Sequence, residues 1–353
     1  MDLGDWRSRI NDIDNQILHL LNQRAEAALQ IGDLKRRQDA PSYAPEREAE
    51  LLSRLTATGR GPLPSEAIVA IWREIVSACR ALEAPLTVAY LAPQGTFTHQ
   101  AARERFGDAA AYHPSRTIAE IFDDVERGRV ELGVVPVENS TDGAVNITLD
   151  RLVHTELQIC GELTLEIAQH LLSRAPDLAG VKRVLSHPQG LGQCRSWLAE
   201  HLPDVPQEET ASTAGAVEIA ATDSGVAAIA SELAGRLYGV PILRRRIEDN
   251  HQNTTRFLII GRRAGAPSGR DKTSILFAMP NQPGALYRIL EPFAHAGLNL
   301  TKIESRPAKR MPWDYVMFVD FEGHRETPVV AAALREIAGR TTYLKVLGSY
   351  PAA

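Results

Sequence analysis

The stretch Leu86–Pro93, "LTVAYLAP", decides the fold class, because two different sequence patterns meet there. Before it, apolar residues recur every three or four positions, as they do on one face of an amphipathic helix. The stretch itself is a strand-like run of β-branched and aromatic residues, and strand-like and helical segments alternate after it. The 353-residue chain therefore begins with an all-helical segment and continues as an α/β protein of more than one domain.

The helical segment, residues 1–84, opens with one very long helix. No proline interrupts residues 5–37, which predicts a helix about 50 Å long at ~1.5 Å per residue. The remaining helices, one beginning at Pro45 and one over residues 65–83, are too short to cover it, so we expect a second copy of the chain to bury its apolar stripe. The stripe consists of Trp6, Ile10, Ile13, Ile17, Leu20, Leu21, Ala28, Ile31 and Leu34.

Two further domains follow the helical one. Residues 86–262 alternate strands and helices, which predicts a mainly parallel sheet. Residues 262–270, "RRAGAPSGR", are typical of a linker that permits relative motion. Residues 271–353 show the order strand–helix–strand–strand–helix–strand, which is ferredoxin-like. The fold class is therefore multidomain: all-α, then α/β, then α+β.

Composition and motifs exclude several function classes. The net charge of −5 gives no support for nucleic-acid binding. No apolar run approaches the ~18 residues of a membrane span, and the acidic start "MDLGDWRSRI" does not fit a signal peptide. The cysteines, Cys79, Cys160 and Cys194, lack the spacing of a disulfide framework or zinc site. These features make a cytoplasmic protein the expectation. The sequence also has no nucleotide-binding glycine motif, and we expect no cofactor and no metal.

Four charged residues point toward the apolar side of the helical segment. Arg24 and Lys35 are eleven positions apart, about 20° past three full turns, and share one helix face. Glu48 and Glu83 also fall on apolar faces. A lone charge at such a place usually extends to water. Four together favour a polar pocket inside the helical bundle, since buried charges need partners.

In the α/β segment, four polar stretches stand at or near strand ends: "APQGTFTHQAA" (92–102), "PVENSTDGAVNITLD" (136–150), "SHPQGLGQC" (186–194) and "NTTRF" (253–257). Open α/β sheets place their ligand sites at such ends. Any one stretch alone could be a helix cap. Ser186 lacks a GxSxG elbow, so a serine nucleophile is not expected.

The helical motifs "WRSRINDIDNQILHLLNQR" (6–24), "IGDLK" (31–35) and "PERE" (45–48) resemble the all-helical chorismate mutase family. The resemblance implies an intertwined helical dimer in which Lys35 and Glu83 are catalytic. Three positions depart from the family pattern: Ala44, Cys79 and Glu83 replace an aspartate, a serine and a glutamine. An ionised Glu83 would repel charge developing on the ether oxygen of chorismate, whereas a protonated one would donate a hydrogen bond. The implied chorismate-binding residues are Arg7, Arg24, Lys35, Arg47, Glu48 and Cys79.

The four α/β stretches together resemble the prephenate dehydratase family, which has a two-lobed fold like that of periplasmic binding proteins. The resemblance implies that Thr255 faces the departing ring hydroxyl of prephenate. It places Asn139, Ser186, Gln193 and Arg256 among the substrate-binding residues. On a strand, however, Arg256 would point to the face opposite Thr255.

"PGALYRIL" (283–290) and "TKIESRP" (301–307) resemble the ACT regulatory domain. The resemblance implies a phenylalanine site, in which the N–H groups at a helix start receive a carboxylate and Glu304 pairs with an amino group. Over its whole length the chain is similar to bifunctional enzymes of phenylalanine biosynthesis that convert chorismate through prephenate to phenylpyruvate under feedback inhibition. A homodimer or larger oligomer is implied. The implied phenylalanine-site residues are Gly284, Ala285, Leu286, Glu304, Ser305 and Arg306.

Two alternatives stay open at this point. The chain could be an amino-acid sensor that does no chemistry, although a sensor would not need Thr255 and Arg256 together with Asn139 and Gln193. Alternatively, the dehydratase could be active while the substitutions at Ala44, Cys79 and Glu83 abolish the mutase.

Overall fold

The computed structural model describes residues 2–38, 43–59, 61–279, 282–307 and 315–352. The chain forms two compact units: Met1–Thr87 with Arg105–Ala111, and Val88–Glu104 with Tyr112–Ala353. Within the described ranges, no helix combines the length and apolar character that crossing a membrane requires.

Three helices make up most of the first unit: α1 (Leu3–Gln38), α2 (Pro45–Thr58) and α3 (Ser65–Glu83). Pro45 occupies the first turn of α2, where its missing N–H costs no hydrogen bond. Gly32 lets α1 approach α3, because a Cβ there would lie 3.0 Å from the Cβ of Glu83.

The apolar stripe of α1 stays exposed in the single chain, as its length predicted. Among the described residues of α1 only Ala28 and Gly32 are buried. Leu20 is 61% exposed and Ile10 is 56% exposed. A stripe of this extent is typical of a surface that another chain covers.

The second unit begins with a two-lobed α/β region. Its first lobe contains β1 (Thr87–Leu91), α4 (Phe97–Phe106), β2 (Ala111–Ser115), α5 (Ile118–Glu126), β3 (Leu132–Asn139), β4 (Gly143–Ala144), α6 (Asn146–His154) and β5 (Gln158–Glu166). The first residue of β1, the last two residues of α4 and the first residue of β2 belong to the first unit. Its second lobe contains β6 (His170–Ser173), β7 (Arg183–Ser186), α7 (Pro188–Gln193), α8 (Arg195–His201), β8 (Gln207–Glu209), α9 (Thr213–Ala220), β9 (Val226–Ala230), α10 (Glu232–Tyr238) and β10 (Ile242–Arg244). The chain then returns to the first lobe as β11 (Thr254–Gly261).

Each lobe has its own sheet. The first has the order β2-β1-β3-β11-β5, with β4 paired to β3, and the second has the order β10-β6-β9-β7-β8. The sequence predicted a mainly parallel sheet, but both sheets contain parallel and antiparallel strand pairs. In the first sheet, β11 enters between β3 and β5 and runs antiparallel to both. In the second sheet, β6 runs antiparallel to both of its neighbours, β10 and β9.

The C-terminal part of the second unit has the predicted ferredoxin-like order. It consists of β12 (Asp271–Ala278), α11 (Ala285–His295), β13 (Leu300–Pro307), β14 (Tyr315–Glu322), α12 (Pro328–Ala338) and β15 (Tyr343–Pro351). The four strands form one sheet in the order β13-β14-β12-β15.

The two faces of this sheet have different partners, because side chains alternate along each strand. Ile275 and Phe277 pack with the helix residues Ile289 and Phe293. On the other face, Leu276, Val316, Phe318, Leu347 and Tyr350 belong to the same hydrophobic core as Phe122 and Ile159 of the first lobe. The parts of the chain on either side of residues 262–270 therefore share one hydrophobic core.

Candidate active sites

The end of β3 and the start of β11 form one candidate active site in the second unit. Asn139 and Thr255 are opposite each other in the antiparallel register. The side chains meet directly: Asn139 Nδ2 donates to Thr255 Oγ1 at 2.8 Å. Both residues are largely buried.

The backbone fixes the orientation of the Asn139 amide. Asn139 Oδ1 accepts hydrogen bonds from the N–H groups of Thr141 at 2.9 Å and Asp142 at 3.0 Å. A side-chain nitrogen could not accept these bonds, so Nδ2 must be the atom that faces Thr255. Because Asn139 occupies a lone pair of the Thr255 oxygen, the Thr255 proton is left to donate to another group.

Asn253 packs behind this pair and was not singled out from the sequence. Its Oδ1 accepts from Asn139 Nδ2 at 2.8 Å. Its own Nδ2 is buried without a hydrogen-bond partner among the described residues. The signal was present in "NTTRF", where Asn253 stands two residues before Thr255.

The second lobe contributes amide groups at the same place. Gln193 Oε1 accepts from Gln169 Nε2 at 3.0 Å, which turns Gln193 Nε2 toward the Asp142 carboxylate, 3.3 Å away. Gln189 Nε2 also donates to Asp142. The structure therefore brings the predicted residues Asn139, Thr255 and Gln193 together, with Asp142 linking the two lobes.

Ser186, which was predicted to bind substrate, is buried inside the second lobe. Its side chain is fully buried, and its hydroxyl donates to the carbonyl of Ile229 at 2.8 Å. Helix α7 packs tightly on it, since a Cβ on Gly190 would lie 2.5 Å from Ser186 Oγ. The hydroxyl is thus committed to joining β7 and β9.

Arg256 was predicted to bind substrate, but the structure does not bring its guanidinium to the cluster around Thr255. It projects to the opposite face of the sheet, where Nε donates to Glu162 at 2.7 Å and Nη1 donates to Asp320 at 2.6 Å. Burial lowers the pKa of this guanidinium, but Tyr350, Asp320 and Glu162 outweigh burial and raise it overall. Arg256 is therefore always charged and is paired with the carboxylates of Glu162 and Asp320.

A second candidate site lies in the helical unit. Lys35 Nζ and Glu83 Oε2 are 3.4 Å apart, and both side chains are partly buried. The inward direction predicted for these two charges is thus found. Arg24 lies over the ring of Trp72, 5.9 Å from its centroid.

Glu48 points inward as well. It pairs with Arg80, beside the buried Cys79, and with Arg105 at 2.8 Å. Neither arginine was singled out from the sequence, because each pairing depends on how distant segments pack. Arg47 pairs instead with the exposed Glu50.

Arg7 is exposed and is not gathered with the other predicted mutase residues in the single chain. Ala44 precedes α2 and supplies no side-chain cap. The predicted mutase residues thus include one close pair, Lys35 with Glu83, and a Glu48 that pairs with arginines not predicted from the sequence.

The predicted regulatory residues occupy a helix start and a strand. Gly284 precedes α11 with a φ of 76°, a conformation that favours glycine. Ala285, the first residue of the helix, is buried. Leu286 follows in the first turn. Glu304, Ser305 and Arg306 lie in β13, and Arg306 reaches α6, where it donates to Asp150 at 3.1 Å and to Asn146.

Among the described residues, no group of three or more histidine, cysteine, aspartate or glutamate side chains is arranged to hold a metal ion.

Burial raises the pKa of the Cys194 thiol, with Glu248 and Asp249 adding to the effect, so it stays protonated.

Family models match three consecutive segments of the chain. Chorismate mutase type II matches residues 6–84, prephenate dehydratase matches residues 88–265, and the ACT domain matches residues 273–339.

Individual relatives agree with these matches. A protein of Aquifex aeolicus named bifunctional chorismate mutase/prephenate dehydratase is 49% identical over 356 residues, covering 100% of this chain and 98% of its own length. A prephenate dehydratase from Arthrobacter aurescens, solved in complex with L-Phe, is 35% identical with a TM-score of 0.70, covering 76% of this chain and 90% of its own. A protein described as a quorum quenching acylase, GqqA, is 34% identical with a TM-score of 0.69, covering 76% of this chain and 98% of its own.

The similarity to the Aquifex protein spans the entire chain, including both enzyme segments and the C-terminal segment. The three matches occur in the order that the sequence predicted, and the all-α, two-lobed α/β and ferredoxin-like folds accompany them. The chain belongs to the family of bifunctional chorismate mutase/prephenate dehydratases with a C-terminal ACT domain.

Proposed function

We propose that Thr255 is the hydrogen-bond donor to the departing ring hydroxyl of prephenate, and that Asn139 orients it. The observation that carries this proposal is the 2.8 Å hydrogen bond from Asn139 Nδ2 to Thr255 Oγ1. The chain of donors runs one way: backbone N–H to Asn139, Asn139 to Thr255, and Thr255 to the substrate.

The reaction requires the leaving oxygen to depart as water. The electron pair of the breaking bond to carbon dioxide enters the ring and expels the hydroxyl, which takes up one proton, and the ring becomes aromatic. A threonine hydroxyl is too weak an acid to supply that proton outright. A fixed hydrogen bond can nevertheless stabilise the negative charge that develops on the oxygen before solvent protonates it.

The Gln193 amide is suited to the substrate's carboxylate or carbonyl oxygen. Its Nε2 already faces a carboxylate, that of Asp142, across the two lobes. In this proposal the substrate anion replaces Asp142 as the acceptor. Ser186 supports the lobe from within, and its buried, committed hydroxyl does not favour a serine hydrolase on this scaffold.

Substitutions of Thr255 test the dehydratase proposal. We expect Thr255→Ala to lower kcat for phenylpyruvate formation by at least ~10-fold, whereas Thr255→Ser, which keeps the hydroxyl, retains most of it. Equal losses in both variants would contradict a role for the hydroxyl.

For the mutase, we infer that chorismate is bound between two copies of the chain. The extended apolar stripe of α1 is one support, and the solvent-exposed Arg7 is another, since it lies apart from Lys35 and Glu83 in the single chain. Arg24, Arg47, Glu48 and Cys79 would complete the pocket around the dianion. Catalysis then consists of positioning and electrostatic stabilisation, because the rearrangement has no covalent intermediate.

For regulation, we infer that phenylalanine binds at the start of α11 and inhibits the dehydratase. The support is the left-handed Gly284 before a helix N-terminus, which can receive a carboxylate, and the L-Phe complex of the Arthrobacter relative. Calorimetric titration of phenylalanine into the full chain and into Gly284→Val tests this, since a β-branched residue is strained at positive φ. Unchanged affinity in the variant would argue against the site. We also propose that the protein is cytoplasmic.

A further inference from the structure

The residues next to the proposed dehydratase pair form a second pair on the back of the sheet. Glu138 precedes Asn139, Arg256 follows Thr255, and Glu138 and Arg256 are themselves register partners. Successive side chains on a strand point to opposite faces. The front pair therefore faces the site, and the back pair faces the ACT domain.

The ACT sheet makes an ionic contact with each member of the back pair. Lys302 of β13 donates to Glu138 Oε2 at 2.6 Å, and the lysine side chain is only 11% exposed. Asp320 of β14 accepts from Arg256 Nη1 at 2.6 Å. Both proposed catalytic strands, β3 and β11, are therefore held by the ACT domain one residue away from the chemistry.

The contact at Arg256 is part of a charge-balanced cluster of two cations and two carboxylates. Glu162 accepts from Arg256 at 2.7 Å and from Lys272 at 2.5 Å, while Asp320 also accepts from Ser274 at 2.6 Å. These carboxylates are buried, which strengthens each interaction and restricts its geometry.

Tyr350 closes the cluster. Its hydroxyl lies 3.1 Å from Arg256 Nη2 and 2.7 Å from Ser274 Oγ. Complete burial raises the pKa of the phenol well above its ordinary value, and Asp320 adds to that effect. The Tyr350 phenol therefore stays neutral.

We propose that the ACT sheet positions the dehydratase strands from behind, with Lys302 and Asp320 as positioning residues that act on Asn139 and Thr255 through Glu138 and Arg256. This inference rests on the proposed role of Thr255. Neighbouring Cα atoms are only ~3.8 Å apart, so a displacement of the back pair moves the front pair. A misplacement of about 1 Å at reacting groups can cost ~100-fold in rate.

The same interface offers a matched control. Lys345 of β15 also extends from the ACT domain to the dehydratase segment, but it donates to the carbonyls of Leu152 and Val153 at 3.3 and 3.4 Å, where α6 ends. Burial lowers its pKa, with Glu156 and Glu126 acting against burial. Lys345 therefore resembles Lys302 in chemistry and burial, yet contacts neither β3 nor β11.

The experiment compares Lys302→Met with Lys345→Met in the full chain, using prephenate as substrate. We expect Lys302→Met to lower kcat ~10-fold or more while KM changes less than ~2-fold, because positioning acts on the transition state. Lys345→Met should stay within ~2-fold in both constants. Lys302→Arg, which restores the ion pair, should recover most of kcat.

Asp320→Asn provides an independent variant on the other strand and should also lower kcat more than it changes KM. In a Thr255→Ala background, Lys302→Met should cause no further loss, since its effect passes through the same hydroxyl. Equal losses in Lys302→Met and Lys345→Met, or a loss confined to KM, would overturn the proposal. A Thr255→Ala enzyme with full activity would instead overturn the proposed function, which is a separate result.

Discussion

Replacing Asn139 with aspartate separates the orientation of Thr255 from the stability of the fold. The two side chains have nearly the same shape, and an aspartate can still accept the N–H groups of Thr141 at 2.9 Å and Asp142 at 3.0 Å. An ionised carboxylate has no proton to donate to Thr255 Oγ1. The Thr255 proton would then turn toward the carboxylate and away from the substrate.

The expected loss in kcat is about 10²–10³-fold, the usual effect of removing one preorganised donor from a developing oxyanion. Stability should change little. Asn253 loses the bond from Asn139 at 2.8 Å, but its buried Nδ2 has no partner among the described residues, so the amide can turn over and donate to the new carboxylate. Asn139→Ala, in contrast, strands two backbone N–H groups at a cost of roughly 1–3 kcal/mol each.

The assay is steady-state formation of phenylpyruvate from prephenate, with thermal unfolding of the same preparations. We expect Asn139→Asp to unfold near the wild-type temperature with little activity, and Asn139→Ala to be both less active and less stable. An Asn139→Asp enzyme with kcat near that of wild type would refute the one-way chain of donors.

Three further predictions concern other parts of the chain. Glu83→Gln should keep or raise the rate of chorismate consumption, because its amide N–H, beside Lys35, can donate to the ether oxygen; a large loss of mutase activity would count against this role. Leu20→Asp places a charge on the exposed stripe of α1, so size-exclusion chromatography should show a smaller species that has lost the mutase but keeps the dehydratase; an unchanged oligomer would contradict a dimer through α1. Burial lowers the pKa of His170, aided by Arg245 and Arg246 and opposed by Glu232 and Glu248, so the folded state binds its proton less readily than the unfolded state does. The melting temperature should therefore drop as pH falls below ~6.5, and His170→Gln should reduce that slope; parallel slopes would exclude His170.

The spacing of apolar residues along the sequence correctly predicted individual helices and strands. The helix expected over residues 65–83 is α3 (Ser65–Glu83), and the six elements of the ACT domain occur in the expected order. Strand alternation also predicted that Arg256 would point away from Thr255, which its contacts with Glu162 and Asp320 confirm.

Long-range packing explains what the sequence could not provide. Asp142 meets Gln193 from 51 positions away, and only the return of the chain as β11 brings Asn253 to Asn139. The segment 262–270 has the composition of a flexible linker, yet Gly348 packs so closely on the first lobe that a Cβ there would lie 2.2 Å from the Ile159 carbonyl oxygen. The composition of the linker could not reveal this packing, because it depends on residues far from the linker in sequence.

Supplying chorismate to the Thr255→Ala enzyme tests the central claim most directly, because one mixture reports both activities. The mutase residues Lys35 and Glu83 belong to a separate compact unit from Thr255. We predict that chorismate is consumed at the wild-type rate and that prephenate accumulates, while phenylpyruvate formation falls at least ~10-fold. Formation of phenylpyruvate at the wild-type rate would contradict the assignment of Thr255 as the donor to the leaving hydroxyl.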